Sequence, residues 1–265
     1  MSIFQHRFFV NFSKYRFLLT ELVKKDIKVK YKDSILGLFW SFLNPLLTMI
    51  VLVLVFGFLF GGRGSGIPNF AIYVLIGRLS LDLFTKGTKS AMNAIRRNKN
   101  IIKKLYVPKY MFVLAAIISE LINFLISLVV LIMVMIVTQN PFAWIDLISF
   151  IPVLFLFIFT IGAGLILATA TSFFTDIKYL FDVFTMLLMY GSAVFYPINI
   201  IPEKYQLVFY LNPVYVAIEG FRDAILYQRF PKTEPLIYLI GISFAALIIG
   251  LIIFYKYQDE FILHV

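Results

Sequence analysis

The sequence contains no cysteine and two histidines, His6 and His264, near its opposite ends. A disulfide framework, a thiolate zinc site and a thiol nucleophile are therefore excluded. A histidine-based metal site or triad within one chain is not expected. Charge is scarce too, at 14% of residues, where soluble domains carry about 25%. Also missing is the phosphate loop GxxxxGK[ST]; TKGTKS at 85–90 resembles it in composition only. ATP hydrolysis by that route is excluded. No paired-aspartate or histidine-rich motif of a lipid enzyme is present, and no internal repeat marks a second domain. What fills the 265 residues is apolar: 61% hydrophobic and 18% aromatic. Such a chain exposes too much apolar surface to be a soluble globule, so a bilayer is its expected solvent.

A helix that crosses about 30 Å of hydrocarbon needs about 20 mostly apolar residues. Six stretches are expected to do so: 35–60, 70–84 and slightly beyond, 110–137, 147–174, 179–196 and 236–255. The strip 197–235 is amphipathic. With the N-terminus inside, 18 Lys and Arg fall in inside segments and 5 in outside segments. This asymmetry predicts both termini in the cytoplasm. It also accounts for the net charge of +10 without nucleic acid. The first long apolar run is too long for a cleavable signal.

Two basic cytoplasmic elements are expected. Segment 14–33 reads as an amphipathic helix: Leu18, Leu22 and Val29 share one face, extended by Leu19, Val23 and Ile27, with Lys14, Lys24, Lys25, Lys28 and Lys32 opposite. It suits the membrane interface, a cytoplasmic partner, or both. Loop 86–110 carries Arg96, Arg97, Lys99, Lys103 and Lys104. A short helix over 95–105 would present these to the cytosol, with Ile95 at its start. Inside the spans, Arg78 and Asp82 are spaced to pair. Glu120 lies within the third span, where a hydrogen bond to Ser, Asn or Tyr or a proton-relay role would account for it. Asp176 suits a turn or N-cap. In the outer strip, Val214, Ile218, Phe221 and Ile225 share a face, and Glu219 and Arg222 flank it.

Four stretches resemble the permease subunit of ABC-2-type polysaccharide exporters, which move O-antigen, teichoic acid or capsule. They are KDIKVKYKDSILGLFWSFLNPLL (25–47), NIIKKLYVPK (100–109), FFTDIKYLFDVFTMLLMYGSAVFYP (173–197) and LNPVYVAIEGFRDAIL (211–226). They cover nearly the whole chain, in the family's order and spacing. Three positions depart from the family pattern: Ser80-Leu81 replaces Pro-Trp, Thr175 an Arg, and Ala193 a Pro.

The resemblance implies an all-α integral membrane protein with 1–34 as a cytoplasmic interface region. Residues 35–265 would form a six-helix domain with a coupling loop at 86–110 and re-entrant external gate helices at 197–235. It implies a multi-pass homodimer in a bacterial cytoplasmic membrane, in contact with membrane lipids and with two copies of a separate P-loop ATPase. That partner would bind ATP and Mg, leaving this chain with no cofactor or metal and no catalytic residue. The cargo would be a lipid-linked polysaccharide. Lys24, Lys28 and the basic residues of 95–105 would contact the motor, while Trp40, Phe42, Phe195 and Tyr196 are candidates for an aromatic-lined path. Asn44-Pro45 would bend the first span. Two alternatives stay open: an ABC-2 exporter of a drug or small lipid, and an ion-coupled flippase dependent on Glu120.

Overall fold

The computed structural model describes residues 2–32, 34–60, 66–104 and 107–261, with residues 2–14 and Leu59 as backbone alone. The side chains of His6 and Lys14, together with Leu105, Tyr106 and His264, lie outside the described residues. Within them all regular structure is helical: α1 (Ser2–Tyr31), α2 (Trp40–Phe60), α3 (Phe70–Arg97), α4 (Lys99–Ile102), α5 (Tyr110–Val137), α6 (Phe150–Phe173), α7 (Ile177–Gly191), α8 (Glu203–Tyr210), α9 (Pro213–Ile225) and α10 (Thr233–Tyr257).

Local chemistry sets several boundaries. Asn69 begins α3 by accepting hydrogen bonds from the Ala71 and Ile72 amides at 3.1 and 3.2 Å. Asn212 begins α9 by accepting from the Val214 amide at 3.0 Å, with Pro213 at the first helical position. Asp176 takes the position before α7, but its side chain makes no cap bond there. α2 continues through Pro45.

Four stretches are long and apolar enough to cross a membrane: Gly37–Phe58, Tyr110–Val137, Trp144–Phe173 and Thr233–Glu260. The third expected span coincides with α5 to the residue. Two expected spans lack that character. α3 has 28 residues, but charges including Arg78, Asp82, Lys86 and Lys89 interrupt its apolar run. α7 has only 15 residues, because the chain turns at Ser192, and Ala193 takes a φ of +47°.

The helix expected at 95–105 does not form as one unit. α3 runs on to Arg97, since Ile95 is buried against α1 and α5. Buried Asn98 then bonds back to the Ala94 carbonyl at 2.8 Å, and one turn of α4 follows. The buried face of α1 lies within the expected one, toward its Leu19 and Val23 side, with Val29 left out. Leu19, Leu22, Val23 and Asp26 are buried, while Val29 is 54% exposed.

α3 is the central rod, packed by α2, α5, α6 and α9. α6 and α10 cross at backbone distance. A Cβ on Gly162 would stand 2.4 Å from the Ala246 carbonyl carbon, so only glycine fits that crossing. Ser243 of α10 donates to the Phe155 carbonyl of α6 at 2.8 Å, and Thr171 of α6 to the Met92 carbonyl of α3 at 3.1 Å.

Candidate functional site

Buried polar groups in a membrane helix are costly unless partnered, so they locate the working joints. One joint lies where α1, α3 and α5 meet. Glu120 is buried and accepts from Lys30 at 2.8 and 3.0 Å, from Ser90 at 3.0 Å and from Asn123 at 3.0 Å. The expected Ser and Asn partners are present. Lys30 lies 90 residues earlier in the chain, and nothing local in the sequence marks it. Asn123 extends the network to Tyr31 and Ser41, each donating at 3.1 Å. Ser127 then reaches the Ser41 carbonyl at 3.0 Å. The end of α1 and the start of α2 are thereby fastened to α5.

Nearby, α1 grips the Arg97 end of α3. Lys25 donates to Asn98 at 2.6 Å, and Arg97 approaches Asp26 at 3.5 Å. Burial pushes the Asp26 carboxyl above its usual range, against the pull of Arg97 and Lys25.

The second joint lies at the other end of α3. Arg222 of α9 does not sit on a polar flank as expected; its side chain is 0% exposed. Its Nη1 donates to Glu219 at 2.8 Å. Its Nε and Nη2 donate to the Tyr73 carbonyl at 3.3 and 3.2 Å, and Nη2 also to the Ala193 and Val194 carbonyls at 3.0 and 2.9 Å. The guanidinium centre lies 3.3 Å from the centroid of the Tyr73 ring. One carboxylate, three carbonyls and a π face thus replace water around this cation. Two sequence features make the space. Gly77 lacks the Cβ that would come within 2.8 Å of Nη2. Ala193 takes a positive φ, which proline with φ near −65° cannot adopt, so the family's proline would not fit this turn. The apolar face of α9 is as expected: Val214, Ile218, Phe221 and Ile225 are all buried.

Between the joints, α3 turns charged residues outward. Asp82 lies 3.2 Å from Arg78 and 2.7 Å from Lys86. From α7, Asp182 meets Lys89 at 2.6 Å and Lys178 meets Asn93 at 2.6 Å. Continuing the Arg78–Asp82 spacing by four and seven residues finds Lys86 and Lys89 in the sequence. Their partners on α7 come only from the fold.

The aromatic candidates separate. Trp40 is exposed and Phe42 half-buried, with Phe42 stacked on Phe39 at 5.4 Å. Phe195 is not open to a path: it is buried, stacked on Phe56 of α2 at 4.6 Å and edge-on to Tyr190 and Tyr196. The turn after α7 folds it inward. Tyr196 is half-buried, and its hydroxyl donates to the Tyr190 carbonyl. Of the basic candidates, Lys24, Lys28, Lys99, Lys103 and Lys104 are exposed. Lys24 pairs with Glu21 at 2.8 Å. Arg96 is half-buried, and Ile95 belongs to the core. Among the described residues no cluster of His, Cys, Asp and Glu is arranged to hold a metal.

The profile of the family described as "ABC-2 type transporter" matches residues 18–226. The O-antigen export system permease protein RfbA of Myxococcus xanthus is 29% identical, covering 94% of this chain and 95% of that protein. The Klebsiella pneumoniae protein of the same name is 28% identical over 92% and 93%. The polysialic acid transport protein KpsM of Escherichia coli is 22% identical over 90% and 92%.

Proposed function

The chain belongs to the ABC-2 type transporter family, and from that premise we propose that it is the membrane subunit of an ATP-driven exporter of a lipid-linked cell-surface polysaccharide. The observation that carries this reading is likeness to O-antigen export permeases over more than nine-tenths of this chain and of each relative. The lack of a phosphate loop fits an energy source outside the chain.

The proposed assembly is a homodimer with two ATPase copies, in a bacterial cytoplasmic membrane with both termini inside. ATP and Mg belong to the partner. Residues 1–34 form the interface region and 35–265 the transmembrane domain. α3 and α7 serve as the second and fifth crossings, shielded from lipid by a second copy, and α8 and α9 form the external gate in 197–235. The exposed lysines of α1 and of 99–104 face the motor.

The two joints supply a transmission path. α3 holds α1 through Asp26 and Asn98 at one end and α9 through Arg222 at the other. Its 28 residues make a rod of roughly 42 Å at 1.5 Å per residue. Displacement by the motor at the Arg97 end reaches the gate as rigid-body motion.

The test is uptake of lipid-linked glycan into inside-out vesicles. ATP with an added P-loop ATPase should drive it, and the same ATPase should copurify with the chain. Uptake driven by an ion gradient without nucleotide, or abolished by Glu120→Gln in a stably folded protein, would favour the carrier instead.

A further inference from the structure

The open face of α3 is its polar face. Between Arg78 and Ile95 the residues not buried are Arg78, Asp82, Thr85, Lys86, Lys89, Ser90 and Asn93. Ser90 is bonded to Glu120. At 100° per residue, Arg78, Asp82, Thr85, Lys89, Asn93 and half-buried Arg96 fall within about 80° of arc, with Lys86 on the flank. Acyl chains are a poor solvent for such a stripe, since each charge there costs several kcal/mol. In the exporter reading Lys86 to Arg96 lie toward the cytoplasm, and the space between two copies supplies the water that Arg78 and Asp82 need.

The stripe is cationic. Arg78, Lys86, Lys89, Arg96 and Lys178 stand against Asp82 and Asp182 alone. Its cations are partnered but not enclosed. Arg78 Nε faces Asp82 at 3.2 Å without an aligned hydrogen bond. The side chains of Lys86 and Lys89 remain 43% and 46% exposed despite their carboxylate partners. Length also discriminates. From Arg78 to Arg96 the stripe extends roughly 27 Å at 1.5 Å per residue, longer than one lipid headgroup and suited to an extended chain with repeated anions.

We propose that this stripe is a track for the acidic groups of the transported polymer, so that the cargo is an anionic glycan bearing carboxylates or phosphodiesters. The proposal rests on the exporter reading. Each incoming anion exchanges with Asp82 or Asp182 on a lysine. Exposed ion pairs are worth about 0–1 kcal/mol each, so the polymer finds many shallow holds and no deep one. A charged ladder thus selects the cargo without stopping it.

The test uses the full-length chain in lipid nanodiscs with end-labelled poly(glycerol phosphate), oligogalacturonate and dextran of equal length. Both acidic probes should bind roughly tenfold tighter than dextran at low salt, with the margin shrinking as salt is added. Lys86→Gln with Lys89→Gln should weaken acidic binding roughly three- to tenfold and leave dextran unchanged. Lys86→Arg with Lys89→Arg should restore it, which separates lost charge from lost folding. Dextran binding equal to the acidic probes would overturn the track. So would an unaltered Gln variant, or displacement of polymer by inorganic pyrophosphate at equal charge concentration, which marks a headgroup site. If the track fails while ATP-driven uptake in vesicles persists, the exporter stands with another cargo. If nucleotide drives no uptake by the wild type, the exporter falls first.

Discussion

Arg222 shows what a buried ion requires. Its desolvation is balanced by a carboxylate, three backbone carbonyls and a ring, and none of these can move aside cheaply. Arg222→Ala should cost about 3 kcal/mol or more, measured as loss of thermal stability in detergent. Gly77→Ala should act through the same space, because its Cβ would stand 2.8 Å from Nη2. The two changes together should cost less than their sum; strict additivity would argue against the shared contact. At Ala193, with φ +47°, glycine should be tolerated or mildly stabilising by up to about 1 kcal/mol. Proline should unfold the turn and release its carbonyls from Arg222. For Glu120, replacing both members of the pair (Glu120→Leu with Lys30→Met) should recover much of the stability lost by Glu120→Leu alone, as expected for an ion pair whose orphaned charge is the main cost.

Among elements, α1 is where sequence pattern and packing diverge. Its apolar residues pointed to a face of Leu18, Leu22 and Val29 extended by Leu19, Val23 and Ile27. In the fold Leu19, Leu22 and Val23 are buried as part of that face, Val29 is exposed, and charged Asp26 is buried beside Arg97. Asp26 makes this joint pH-dependent. A carboxyl raised in the fold favours the protonated form, so its contribution is fully present below the unfolded value and is lost as pH rises through the folded one. Asp26→Asn should match wild type at acid pH and become the more stable protein toward neutral pH. A stability difference that stays constant with pH would contradict a titrating Asp26. The basic end that follows α3 is a second element to test. Lys99, Lys103 and Lys104 are exposed and, with few internal roles, should tolerate change to Glu in folding. The same change should cut ATPase copurification sharply, because a motor surface that accepts cations rejects anions.

At the scale of the whole molecule, α3 joins α1 to α9, α5 and α6 brace it, and α10 packs on α6. Gly162 admits the backbone of α10 with no room for a side chain, so Gly162→Leu should force the pair apart and lower both yield and thermal stability. Two features of the architecture lie beyond hydropathy. α3 is too charged and α7 too short to stand out as crossings by their own composition. In the fold α7 covers part of the charged face of α3, through Asp182 on Lys89 and Lys178 on Asn93.

Residue composition and spacing by themselves determined the all-helical membrane class, the four strongly apolar helices, the near-exact limits of α5 and the apolar face of α9. Those properties follow from side-chain hydrophobicity and local periodicity, which act over a few residues. Only tertiary structure decided that Lys30 meets Glu120, that Arg222 is enclosed by Tyr73 and the turn at Ala193, that Phe195 is packed away, and that the open side of α3 is charged. These are contacts between segments distant in the chain. Their energy depends on which partners remove each polar group from water, and no local pattern carries that information.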